Sequence, residues 1–125
     1  LVTATVLTIS PNEWFAQGRN TQRLSEISVV ANAIGQRIAD NRGTWNTTCG
    51  VKTVTFPTST TSVGTDVGLV DLSACLVPAY LASVPADPSG GTAGNTRYQI
   101  VQGATGHITV SAPNAELGKS ISITR

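Results

Sequence analysis

A chain of 125 residues gives a prior of one domain. Eight Lys and Arg against seven Asp and Glu leave a net charge of +1, so no strong field recruits nucleic acid or an anionic bilayer. Charged residues make up only 12%, about half the usual share. Thr, Ser and Gly take their place, a composition suited to exposed strands and loops outside the cell.

The chain opens on Leu1 to Ile9, LVTATVLTI, where only threonines interrupt the apolar residues. This run falls short of the roughly 20 apolar residues that cross a bilayer, and it lacks the basic region and cleavage site of a secretory signal. Other chains are expected to cover Leu1, Val2, Val6, Leu7 and Ile9. Ser10-Pro11-Asn12-Glu13 then reads as a helix start, with Ser10 capping the Glu13 amide and Pro11 at the first helical position. The pattern stays helical to about Asn41, roughly 45 Å at ~1.5 Å per residue, against a mean helix of about 11–12 residues. Leu24, Ile27, Ala31, Ile34 and Ile38 recur at three- and four-residue steps and form the core stripe. Arg19, Arg23, Glu26 and Arg37 fall mostly off that stripe and are expected to meet solvent or a neighbouring subunit. Trp14 and Phe15 lie upstream of it and are expected to be partly inter-subunit. Asn41 or Gly43 supplies the left-handed stop.

The middle of the chain is irregular. Cys49 and Cys75, the only cysteines, favour one disulfide in an oxidising compartment, closing the loop 49–75; two buried free thiols are the alternative. Asn46-Thr47-Thr48 is an N-x-T triplet, making Asn46 a candidate glycosylation site. Val51 to Phe56 alternates like a short strand ended by Pro57. Thr58 to Thr65 reads as an exposed, mobile Ser/Thr run and a candidate for O-linked sugar. Asp71 can cap a short turn through Leu72 and Leu76, which Pro78 interrupts.

Pro85 to Gly91 is dense in turn formers. Beyond it Tyr98 to Val101, His107 to Ser111 and Ser120 to Thr124 each alternate over strand length, within the region from about residue 97 to 125. Three strands at hairpin spacing predict an antiparallel sheet with one face on the helix, an α+β fold.

Catalytic chemistry finds little footing. His107 is the only histidine, and no spacing joins it to Ser111 and Asp87 as a triad; a solvent-facing strand residue is the simpler reading. Two cysteines and one distant histidine do not make a zinc site. Gly90-Gly91 follows a proline turn and leads into no helix, so no phosphate loop forms. Asp66 and Asp71 flank an apolar stretch and are not paired for acid–base work. The chain does not read as an enzyme, and no cofactor is expected.

Four segments in order resemble the type IV pilins and the pseudopilins of type II secretion. Ser10 to Ile27, SPNEWFAQGRNTQRLSEI, is similar to the “NPAxxFxxARxxQRxSD” stretch of prepilin-like proteins. Ala39-Asp40-Asn41-Arg42-Gly43 resembles their “ADNGG” helix end. Leu72 to Leu81 followed by Val84-Pro85-Ala86-Asp87-Pro88 resembles “LxxYLxxIPxDP”, and Ile108 to Gly118 is similar to their closing strands. The resemblance implies a pilin-like fold for residues 11–125 and makes residues 1–10 the end of a hydrophobic assembly helix whose start is missing from the chain. It implies a homo-oligomeric, extracellular filament subunit held in the inner membrane before assembly, with no specific nucleic-acid partner. A secretion pseudopilin or a non-filament adhesin are the rival readings. Pseudopilins tend to carry an acidic calcium loop near the C-terminus, whereas here Glu116 is the only acid after Asp87, and calcium wants about six to eight oxygen ligands.

Overall fold

The structure, a computed structural model, describes residues 10–125. Helix α1 spans Pro11–Asp40, one residue short of the expected end. Ser10 Oγ accepts from the Glu13 amide at 3.3 Å, Pro11 occupies the first turn, and Glu13 places a carboxylate near the positive end of the helix dipole. At the other end Asn41 is the cap, and Arg42 and Gly43 both take positive φ, 60° and 87°. The Gly43 amide closes the helix on the Ile38 carbonyl at 2.9 Å, as a left-handed termination requires.

Ile27, Val30, Ala31, Ala33 and Ile34 are the buried apolar face of the C-terminal two-thirds of α1. They pack on a sheet built from β3 (Thr61–Ser62), β4 (Gln99–Gln102), β5 (Ile108–Ala112) and β6 (Ile121–Thr124) in that spatial order, antiparallel throughout. A separate two-residue hairpin pairs β1 (Thr48–Cys49) with β2 (Lys52–Thr53). A single turn, α2 (Ser73–Leu76), lies between β3 and β4. Ile108, Val110 and Ala112 alternate inward on β5 and meet Ile100, Tyr98, Leu72 and Leu76 in one core. Each fully buried aliphatic side chain there contributes about 1.5–3 kcal/mol.

The α+β arrangement with a long N-terminal helix on an antiparallel sheet is the one the sequence predicts, and the three C-terminal strands fall within about a residue of their expected spans. Three expectations need correction. Leu24 is half-exposed and lies outside the core; the stripe runs instead through Arg23, Ile27, Val30 and Ile34. The expected strand over Val51 to Phe56 shrinks to Lys52–Thr53. The run Thr58 to Thr65 is ordered into the sheet: Thr61 and Ser62 pair with Ile100 and Gln99, and Val63 is buried. Gly64 lets this run approach the 94–95 backbone closely, since a Cβ at that position would sit 2.1 Å from the Gly94 carbonyl oxygen. Two loops touch backbone to backbone, and no side chain fits between them.

Candidate functional site

The Cys49–Cys75 disulfide is formed, with Cα atoms 4.7 Å apart. It ties the β1–β2 hairpin to α2, and both sulfurs belong to the core. Arg37, expected to face solvent or a neighbour, braces this junction from within the chain. Its Nη1 donates to the Cys75 carbonyl at 3.1 Å, and its Nη2 donates to the carbonyls of Asn46 and Thr48 at 2.9 and 3.1 Å. The guanidinium also lies 5.1 Å from the Trp45 ring centroid, a cation–π distance. Trp45 in turn stands 4.4 Å from Phe56.

The N-terminal half of α1 is held by charge instead of apolar packing. Arg23, expected to face solvent or a neighbouring subunit, has a fully buried side chain. Its Nε and Nη2 form a fork on Asp87 at 2.8 and 3.1 Å, and its Nη1 donates to Glu116 Oε2 at 2.7 Å. Arg19 adds a second fork on Glu116 at 2.5 and 2.6 Å. Asn20 and Glu116 exchange side-chain and backbone bonds, both at 2.9 Å. The pair Arg19 and Arg23 thus binds acids of its own chain, and Arg23 is buried where solvent or a neighbouring subunit was expected, while Arg19 stays partly exposed. Planar guanidinium forks on carboxylates are the strong form of ion pair.

Loop chemistry places the two acids. Asp87 accepts from the Ser89 amide at 2.7 Å and its own amide donates to the Thr96 carbonyl at 2.8 Å. Gly91 packs so closely on it that a Cβ would lie 2.4 Å from the Asp87 nitrogen. Hydrogen bonds from Arg19, then from Arg23, hold the Glu116 carboxyl down at about 2. The hydrogen bond to Asp87 outweighs desolvation and raises the Arg23 pKa above its ordinary value, so the guanidinium stays charged although buried. Spacing could have revealed Arg23, because it sits four residues before Ile27 on the core stripe. Its acids, 64 and 93 residues away, carried no local signal.

A second buried polar contact was also outside the sequence reading. The Tyr98 hydroxyl donates to Glu26 Oε2. Burial first, and then this bond, raise the Tyr98 pKa above the usual phenol value. Near the disulfide, burial opposes ionisation of Asp71, but bonds from Lys52 and Ser73 outweigh it and keep its pKa below normal. Asp71 therefore holds Lys52 and Ser73, while Leu72 occupies the cap position of α2 without a side-chain bond.

With the helix so clamped, its first turn stands clear of the core. Between Pro11 and Gln22 only Ala16 is buried, and Trp14 and Phe15 are 63% and 66% exposed. Leu1, Val2, Val6, Leu7 and Ile9, expected at the same interface, lie outside the described residues. Asn46 is exposed, and its side chain accepts from the Thr48 amide at 3.0 Å. His107 is exposed just before β5. Among the described residues no group of three or more His, Cys, Asp and Glu is placed to hold a metal ion, and no helix is long and apolar enough to cross a membrane. An open groove of about 570 Å³ between β2 and the 65–71 loop is lined by Thr55, Pro57, Asp66, Val67 and Asp71 among others. No protein-family model matches the chain, no curated protein matches it in sequence, and no solved structure matches its fold.

Proposed function

We propose that this chain is a structural subunit of an extracellular, type IV pilus-like filament, with a pilin-like fold and no catalytic role. The observation that carries the reading is the bare first turn of α1. Two large aromatic side chains, Trp14 and Phe15, stay more than half exposed at the end of a thirty-residue helix whose apolar packing lies toward its other end. Adjacent exposed aromatics of this kind mark contact surfaces. The segment resemblances over residues 10–118 and the Thr/Ser-rich, disulfide-bonded composition support the same reading. In it, the N-terminal helices bundle, and the sheets with their loops face outward. Burial of Trp14, Phe15 and the preceding apolar run drives association at roughly 25 cal/mol per Å². Before assembly the subunit is held in the inner membrane.

The test is negative-stain imaging of a sheared surface fraction from the source cells, labelled with antibody against this chain. Filaments decorated along their length support the proposal. A chain recovered only in soluble or unassembled form, with all filaments unlabelled, overturns it.

A further inference from the structure

The two edges of the main sheet are treated differently. At β3 the outer edge is closed: the Val70 amide donates to the Ser62 carbonyl at 3.1 Å and the Gly64 amide to the Val70 carbonyl at 2.9 Å. A strand cannot add there without expelling the 66–70 loop. At β6 the register shows the reverse. Ile108 and Arg125 exchange both backbone bonds at 2.8 Å, so with Val110↔Ile123 and Ala112↔Ile121 they are the hydrogen-bonded pairs of this ladder. The alternate residues Ser122 and Thr124 therefore turn their N–H and C=O groups away from β5, toward a side where no described strand pairs with β6.

Beside this edge lies a groove of about 440 Å³ between α1 and the start of β6, lined by Thr21, Leu24, Leu117, Lys119, Ser120 and Ile121 among others. Leu24 and Leu117 are 49% and 45% exposed, which gives the groove an apolar floor. No carboxylate lines it, and Glu116 next to Leu117 is already committed to Arg19 and Arg23. Lys119 precedes β6 by two residues and Arg125 follows it directly, so a cation flanks each end of the edge. Arg125 continues the alternation of Ile121 and Ile123 and reaches the helix at Asn32, while Lys119 lies in the loop before the strand and lines the groove.

We propose that the outer edge of β6 is a strand-addition site for an extended peptide of another protein, with β-branched residues at its centre and a carboxylate at each end. Backbone bonds to Ser122 and Thr124 supply affinity, Leu24 and Leu117 receive the inward side chains, and Lys119 and Arg125 fix the ends. The same charges disfavour a second copy as occupant. Antiparallel pairing of two β6 edges about Ser122 sets Lys119 opposite Arg125 of the second copy, a like-charge pair that costs energy. This site is independent of the filament reading, since it uses neither Trp14 nor Phe15.

The test uses the whole chain and the capped peptide Asp-Thr-Val-Thr-Val-Thr-Asp, followed by amide NMR. The expected result is saturable binding with slowed exchange of the Ser122 and Thr124 amides. N-methylation of the peptide's central Thr, whose N–H would face Ser122, should weaken binding about tenfold, while N-methylation of a Val should not. The double variant K119E/R125E should instead prefer the peptide with Lys at both ends. Ser122→Pro removes an outward donor while sparing the β5 ladder, and it should abolish binding with little change in thermal midpoint. Unchanged exchange at Ser122 and Thr124, equal loss from either N-methyl position, or equal binding of the Asp-ended and Lys-ended peptides overturns the proposal, whatever imaging shows about filaments.

Discussion

Arg23 Nε lies 2.8 Å from Asp87 Oδ2, and neither side chain retains any exposed surface. Two opposite charges have been taken out of water together, and the cost is met by further bonds to Asn20, Glu116 and Ser89. Removing one partner leaves the other charged and buried, which typically costs about 3–5 kcal/mol. Arg23→Met and Asp87→Ala should each destabilise by that amount in urea unfolding. The double variant should cost less than the sum, because the second change removes an already orphaned charge. Additive losses would mean that the pair is not a unit.

Glu116 makes the same clamp sensitive to acid. Its carboxyl sits at about 2 against an ordinary 4.5, so between those values the unfolded chain binds more protons than the folded one. Stability from this group is complete above the ordinary value and drains away as pH falls through 4.5 toward 2. Chemical unfolding at pH 6 and pH 3 should show a drop that Glu116→Gln reduces. The residual drop in that variant is expected from Asp71, whose pKa is also lowered.

Apolar periodicity made the helix, its cap, the three C-terminal strands and the α+β class legible, because those depend on neighbours a few residues apart. The disulfide was legible from two cysteines in a Ser/Thr-rich chain. What stayed hidden depends on distant partners. A Ser/Thr run whose one apolar side chain is Val63 has no alternation to mark it as β3; it is a strand because Tyr98 and Ile100 offer it a ladder. An apolar stripe drawn through Leu24, Ile27, Ala31, Ile34 and Ile38 leaves the charged residues of the helix on the outside. Arg23 and Arg37 turn inward because carboxylates and carbonyls from loops 9 to 93 residues away converge on them.

Glu26 follows from the same correction. A purely surface position would tolerate any change, but here the carboxylate accepts from the buried Tyr98 hydroxyl. Glu26→Gln keeps an acceptor and should be mild. Glu26→Ala strands the phenol and should cost about 1–3 kcal/mol, read by urea unfolding. Tyr98→Phe in the Glu26→Ala background should then restore part of that loss, since it removes the orphaned donor.

The face of α1 can be read by paired substitutions. Ile34→Asp buries an unpaired carboxylate at a site that is 1% exposed and should destabilise by several kcal/mol. Leu24→Asp, at a half-exposed site, should lower the thermal midpoint little. Equal losses at the two positions would remove the assignment of the core to the Arg23–Ile34 stripe.

Trp14 and Phe15 separate folding from assembly. Both are more than half exposed, and their only buried neighbour before Arg23 on the helix is Ala16. Truncating them removes little intramolecular packing, so W14A/F15A should keep the thermal midpoint of the parent to within a few degrees. In the filament reading the same side chains are buried between copies, where large aromatics dominate contact energy. Cells carrying the double variant should therefore display far fewer antibody-labelled filaments while accumulating folded subunit with an intact Cys49–Cys75 bridge. Non-reducing mass spectrometry checks the bridge, and imaging of the sheared fraction checks assembly. Normal filament yield from W14A/F15A would take away the observation on which the proposed function rests, and a collapse in thermal midpoint would show that the first turn belongs to the core.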